Sequence, residues 1–222
     1  MLPLIRFDQV SVATQHKTIL SSVSFALYPG QKAMLSGKSG AGKSSVLKTL
    51  LGMHTITSGT VYFRERPVSA KIIREIRACT AYIGQEPVLG SENVRDALLL
   101  PFHFNAHRNR QPAETAILEV LQRLQLPAEL LDRESSRISG GEKQRIALAR
   151  GLLLGKTIFL LDEVTSALDK ESKQAVFEVF ADPKLTVLAV SHDSDWLKRC
   201  DVEFKIEAGQ LNEVGSHGNT GY

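Results

Sequence analysis

Short apolar runs alternate along this chain with stretches whose apolar residues recur at helical spacing. Leu4 to Val12 and Ser22 to Leu27 read as early strands, and Lys32 to Ser36 (KAMLS) as a strand that runs straight into a glycine-rich loop. From Lys43 to Leu51, the residues Val46, Leu47, Leu50 and Leu51 form the apolar face of a helix. Gly59 to Phe63 is expected as a strand, and Ala78 to Ile83 as a buried strand after a short helix. From Pro87 to about Gly155 the pattern turns helical and strand-poor. There AETAILEVLQRL sets Ala116, Ile117, Val120, Leu121 and Leu124 on one face. Strand-like runs return at Thr157 to Leu161 and Leu185 to Val190.

This alternation predicts one α/β domain, residues 1–222, around a largely parallel sheet. Its core is expected at 1–86 and 156–214, with a helical insertion over about 87–155. The tail GSHGNTGY, residues 215–222, is small and polar and is expected to be disordered. A net charge of +3 without a clustered basic face argues against a nucleic-acid partner. Cys79 and Cys200 lie far apart with no CxxC spacing, so neither a zinc site nor a disulfide framework is indicated. His103 and His107 have i, i+4 spacing but no third ligand nearby. The N-terminus has no basic region ahead of an apolar run, and no apolar run approaches the roughly 18 residues that span a bilayer. The chain is therefore expected in the cytoplasm, and a membrane role has to come through a partner.

Four strand ends carry chemistry. GKSGAGKSS comprises Gly37, Lys38, Ser39, Gly40, Ala41, Gly42, Lys43, Ser44 and Ser45, and contains G-x-x-x-x-G-K-S between a strand and a helix. In such a loop bare backbone amides curl around a phosphate, the lysine reaches the β- and γ-phosphates, and the serine hydroxyl ligates Mg²⁺. TIFLLDE ends a buried strand in two acids, where open parallel sheets bind their ligands. Asp162 is placed there to hold Mg²⁺, and Glu163 to act as general base toward a water. LTVLAVSH ends at His192 on the same level, for a γ-phosphate contact, and Gln85 closes ACTAYIGQ with a Mg²⁺ or water contact.

A fifth feature is ISGGEKQRIALARG. Ser139 and Glu142 have the S-x-x-E form of a capping box, which explains them but leaves Gly140 and Gly141 unexplained. Glycines at a helix start leave the first amides bare for an anion. A second phosphate surface makes sense if two copies of the chain sandwich two nucleotides between them.

This ordered set resembles the ATP-binding subunit of an ABC transporter over nearly the whole chain. Walker A is GKSGAGKS, the Q-loop residue Gln85, the signature ISGGE, Walker B IFLLDE, the D-loop SALD (Ser166 to Asp169) and the switch histidine His192. The resemblance implies a P-loop NTPase fold: a RecA-like core, an N-terminal antiparallel β part and an inserted α-helical subdomain. It implies ATP hydrolysis with Mg²⁺, in a sandwich where Ser139, Gly140, Gly141 and Glu142 of one copy meet the γ-phosphate held by the other. It also implies a polytopic permease docked near Glu86 to Gln111, which would place the cassette on the inner face of the cell membrane. Val88, Leu89, Leu98, Leu99, Leu100, Phe102 and Phe104 lie in that segment, about half of them expected inside the subdomain.

Compact length, ISGGEKQRIALARGL, LLDEVTSALD and HRNRQP together resemble small stand-alone cassettes of iron exporters. The alternative is a non-transport ABC ATPase such as a cofactor-assembly factor. Three departures from the family pattern stand out. Glu142 replaces the commoner glutamine, and Val164 the usual proline, which is expected to loosen a turn. Val12 to His16 lacks the aromatic residue that stacks on adenine. Either His16 substitutes there or contact with the base is weak, and loose discrimination between ATP and GTP is the expected consequence.

Overall fold

The computed structural model describes residues 1–216. Strands β1 (Ile5–Ala13), β2 (Thr18–Leu27) and β3 (Lys32–Ser36) come first, followed by helix α1 (Lys43–Leu50). Strands β4 (Ile56–Phe63) and β5 (Arg66–Pro67) precede helix α2 (Ala70–Cys79) and strand β6 (Thr80–Ile83). A helical stretch follows, with α3 (Val94–Leu99), α4 (Glu114–Arg123) and α5 (Gly140–Leu153) joined by short 3-10 turns. The chain then returns through β7 (Ile158–Asp162), α6 (Lys170–Phe180), β8 (Thr186–Val190), α7 (Ser194–Leu197), β9 (Val202–Glu207) and β10 (Gln210–Ser216).

Two sheets result. β2-β1-β4-β5 is antiparallel; β10-β9-β3-β8-β7-β6 is parallel except for its β10 edge. β7 and β8 are buried along their whole length because both faces of the parallel sheet are covered. Ile158 and Leu160 pack with α1, α2 and the antiparallel sheet, whereas Phe159 and Leu161 pack with the helical insertion and α6. As β3, β8, β7 and β6 run the same way, the loops after all four emerge on one edge. That is the edge where a parallel sheet gathers a site from residues distant in sequence.

The expected elements form, with shifted bounds that have local causes. β2 begins at Thr18, four residues before the predicted Ser22, because the β1–β2 pairing is irregular there. Gln9 and Ser22 have φ of 50° and 52°, and the register shifts between Phe7 and Val10. Such bulges break the period-2 pattern from which strands are read. β4 likewise starts at Ile56 and runs through Gly59, whose φ of 76° lets the Gln9 carbonyl come close. Ala78 and Cys79 close α2, and β6 begins only at Thr80. Asp162 is itself the last residue of β7. Gly215 and Ser216, expected in the disordered tail, pair with Glu203 and Val202 at the end of β10. The rest of that expectation, residues 217–222, lies outside the described residues.

Candidate nucleotide site

The loop from Gly37 to Gly42 links β3 to α1, and its glycines serve different ends. A Cβ at Gly37 would meet the Ile206 carbonyl oxygen at 2.0 Å, and one at Gly42 the Ile19 oxygen at 2.9 Å. Both glycines therefore let β9 and β2 pack against the loop. At Gly40, with φ of 76°, a Cβ would meet nothing within 4 Å, so this glycine faces the open space a phosphate needs. No side chain caps α1, which leaves its first amides for an anion. Lys43 is 5% exposed, and its Nζ donates to the carbonyls of Gly37 (2.7 Å) and Lys38 (3.0 Å). Burial lowers its pKa below the usual lysine value, and the charges of Glu163 and Asp162 oppose that without cancelling it. The lysine is thus held inside the cradle by weak neutral acceptors.

Asp162 is 7% exposed, and two hydroxyls from different elements hold it. Ser44 Oγ donates to Oδ1 at 2.8 Å, and Tyr82 Oη donates to Oδ2 at 3.2 Å. A hydroxyl beside a buried carboxylate, at the foot of an anion cradle, is an oxygen donor set of the kind Mg²⁺ takes. Burial first, and then the Asp162 charge, push the Tyr82 phenol up to about 12, so it stays a donor throughout the neutral range. Sequence reasoning missed Tyr82, because only the parallel pairing of β6 with β7 brings it to Asp162.

Glu163 follows with φ of 54°, a left-handed conformation that costs a non-glycine residue roughly 1 kcal/mol or more. Its amide still donates to the Val190 carbonyl (2.9 Å), while its side chain turns toward the loop after β8. His192 Nε2 stands 3.7 Å from Glu163 Oε1, in a cavity of about 360 Å³ that also takes in Ser166 and Lys173. The turn after Glu163 carries Val164 and keeps its hydrogen bonds. Ser166 closes it, donating to the Glu163 carbonyl from both its amide (3.2 Å) and its hydroxyl (2.8 Å). Val164 is buried. Asp169 is occupied as the cap of α6, accepting from the Ser172 amide and hydroxyl. Beneath His192, Asp193 pairs with Lys173 at 2.7 Å and caps α7 through the Asp195 amide. The sequence reading did not single out Asp193 or Lys173.

The capping box at α5 is formed: the Glu142 amide donates to Ser139 Oγ, and the Ser139 amide to the Glu142 carboxylate. Burial pushes the Glu142 pKa up, but these bonds with Ser139 prevail and hold it below the usual carboxylate range. The two glycines, however, are not equivalent. At Gly141 a Cβ would come within 3.0 Å of the Ala167 carbonyl oxygen and 3.1 Å of Leu168 Cδ2; at Gly140 it would only touch Ala167 Cβ, at 4.0 Å. Gly141 thus has a packing reason of its own, and Gly140 alone is bare without one. Among the described residues no hydrogen bond joins Ser139–Glu142 to the phosphate loop of the same chain.

Gln85 is exposed, two residues beyond β6. Its own carbonyl and that of Gly84 accept from Nε2 of the buried Gln144, which ties the signature helix to this strand end. A groove of about 730 Å³ opens beside it, between Gln85–Gly90 and Ser135, Gly140 and Ser166. Of the apolar residues in this segment, Leu89, Leu98 and Phe102 are buried, whereas Val88 and Phe104 are 83% and 61% exposed. His103 ends one 3-10 turn and His107 precedes another, so they share no helix.

The family profile described as ABC transporter matches residues 20–166. The "Probable iron export ATP-binding protein FetA" of Escherichia coli (strain K12) is 35% identical over 218 residues, which cover 96% of each chain. The "ABC-type transporter MDR1" of Aureobasidium melanogenum is 33% identical over 90% of this chain, which spans only 15% of that much longer relative. A dimeric ATP-binding cassette, solved in a post-hydrolysis state with ADP and Pi, superposes with a TM-score of 0.80 over 97% of this chain and 99% of its own. At 21% identity, that likeness is one of fold.

Proposed function

Because the chain belongs to the ABC transporter family and is an ATPase, we propose that it is the subunit that powers a membrane permease, working as a pair of identical cassettes. The observation that carries this reading is Glu163: it follows the buried Asp162 at the edge of the sheet, and its carboxylate faces His192 at 3.7 Å.

In the proposed site Lys43 exchanges the Gly37 and Lys38 carbonyls for the β- and γ-phosphate oxygens, and Gly37–Ser45 wraps the phosphates. Ser44, Asp162 and Gln85 would hold Mg²⁺, which when bound neutralises charge on the phosphates. Glu163 orients a water and takes its proton, while His192 contacts the γ-phosphate. Phosphoryl transfer asks little covalent chemistry of a protein, so positioning and electrostatics are what these residues supply. The bare Gly140 amide, with Ser139, Gly141 and Glu142, would complete the site of a second copy; Ser166 and Asp169 lie beside that surface.

No helix among the described residues is long and apolar enough to cross a membrane. Attachment to the inner face of the cell membrane would therefore go through the permease, docked near Glu86 to Gln111, where Val88 and Phe104 are exposed. Iron is the proposed cargo and export the direction, supported by 35% identity along nearly the whole length of the FetA relative. To test this, the tagged chain is purified from membranes of its native host, with a polytopic membrane protein expected in comparable amount. Inverted vesicles holding both should then take up labelled iron with ATP, and not with Glu163→Gln. Recovery of soluble partners alone overturns the transport reading; ATP-driven movement of another solute overturns iron.

A further inference from the structure

We propose that Tyr82 is a positioning residue that fixes the metal-holding carboxylate of Asp162. The inference rests on the reading of Ser44 and Asp162 as Mg²⁺-holding groups. Asp162 Oδ1 accepts from Ser44 and Oδ2 from Tyr82, at 2.8 and 3.2 Å. The two donors differ in what holds them. Ser44 is the second residue of α1, next to the phosphate loop, and would turn its lone pair to a bound cation. Tyr82 stands on a strand, paired in register opposite Leu160 and packed against the core beneath the sheet.

The terminal torsion of an aspartate is broad and roughly two-fold, so one hydroxyl does not fix the plane of the carboxylate. Two donors, one on each oxygen, do. Mg²⁺ demands near-octahedral oxygen geometry at 2.0–2.1 Å and tolerates little misplacement, so the orientation of this carboxylate bears directly on affinity. The Tyr82 hydroxyl makes no other hydrogen bond or ion pair among the described residues, so orienting Asp162 is its one polar role. The same strand leads two residues on to Gly84 and Gln85, whose carbonyls Gln144 holds. The strand end that orients the carboxylate therefore also leads into the groove beside Gln85.

Tyr82→Phe keeps the ring and removes only the donor. Binding of a fluorescent ATP analogue is titrated with and without Mg²⁺, and Mn²⁺ bound with a non-hydrolysable analogue is read by electron paramagnetic resonance. The metal concentration at half-saturation is expected to rise about tenfold, as for other residues that orient metal ligands. Metal-free nucleotide affinity should stay put, while the metal-free thermal midpoint falls modestly because the buried Asp162 carboxylate loses one of its two donors. An unchanged metal midpoint, or an equal loss of affinity with and without metal, overturns the proposal. Asp162→Asn separates this from the reading beneath it. If Asp162→Asn leaves the metal dependence intact, the Mg²⁺ assignment itself fails. If only Tyr82→Phe does so, Tyr82 alone is wrong. In the Asp162→Asn background, Tyr82→Phe should add nothing.

Discussion

The Ala167 carbonyl oxygen lies so close to Gly141 that a Cβ there would approach it to 3.0 Å, while the neighbouring Gly140 has no contact that a Cβ would tighten. One glycine of the signature is therefore favoured by tight packing within the chain. The other is free of it and open to something outside.

The two substitutions Gly141→Ala and Gly140→Ala should separate these roles. Gly141→Ala pushes on the D-loop backbone and should lower stability by about 1–2 kcal/mol, the scale of a local overpacking, read as a shifted urea midpoint. Gly140→Ala should leave the midpoint nearly unchanged yet reduce ATP turnover at least tenfold, because in the proposed pairing its methyl would stand where the partner's phosphate approaches. Equal turnover in Gly140→Ala and wild type would make that glycine part of a helix cap and nothing more.

Four strands of the six-stranded sheet and the phosphate loop were legible because their signals are local: KAMLS before the glycines, ACTAYIGQ, TIFLLDE, LTVLAVSH. β9 was not read, although Val202, Phe204 and Ile206 alternate inward, because three buried positions make a weak pattern. α6 was passed over where Asp169 was read as part of a family motif rather than as a helix cap. Tyr82, Asp193 and Lys173 could not be found from spacing. Each matters through a partner from another strand or helix, and sequence order does not record which strands pair.

Lys173 and Asp193 give a test in pH. Burial pushes the Asp193 carboxyl up, but Lys173 and the Asp195 amide outweigh it and hold it below the usual range. A carboxyl depressed in the folded state contributes stability above its unfolded pKa of about 4 and loses it as pH falls through the folded value. The pair is partly buried, so Lys173→Met should cost about 1–2 kcal/mol at pH 7, between the values for exposed and buried pairs. That difference should shrink steadily below pH 4 as Asp193 protonates in wild type. A pH-independent difference would mean that Lys173 acts through its packing alone.

The start of β2 lies on the phosphate loop, since Gly42 sits against the Ile19 carbonyl, and the turn ahead of it is exposed from Ala13 to Thr18. His16 is its only ring. Stacking on a flat face tolerates any purine. The ratio of kcat/KM for ATP over GTP should therefore be under about tenfold, within what a site lacking base-specific hydrogen bonds achieves. His16→Ala should lower both values together. A hundredfold preference for ATP would require a base-reading group elsewhere.

Glu163→Gln should trap the closed pair. The amide is nearly isosteric with the carboxylate, so Lys43, Ser44 and Asp162 keep their places and Mg·ATP still binds. What is lost is the group proposed to orient and deprotonate water, so the sandwich should not reopen by hydrolysis. Size-exclusion chromatography with light scattering should give monomer without nucleotide and dimer with Mg·ATP. Adding Gly140→Asp should return the protein to monomer, because the new carboxylate would stand against the partner's γ-phosphate and like charges at that range repel strongly. Gly141 offers the control. Gly141→Ala strains the D-loop of its own chain without adding charge, so in the Glu163→Gln background it should weaken the dimer far less than Gly140→Asp. If Glu163→Gln stays monomeric at saturating Mg·ATP, the measurement is repeated with the co-purified permease. A dimer there places the missing interface energy in the membrane subunit; a monomer in both removes the two-copy site.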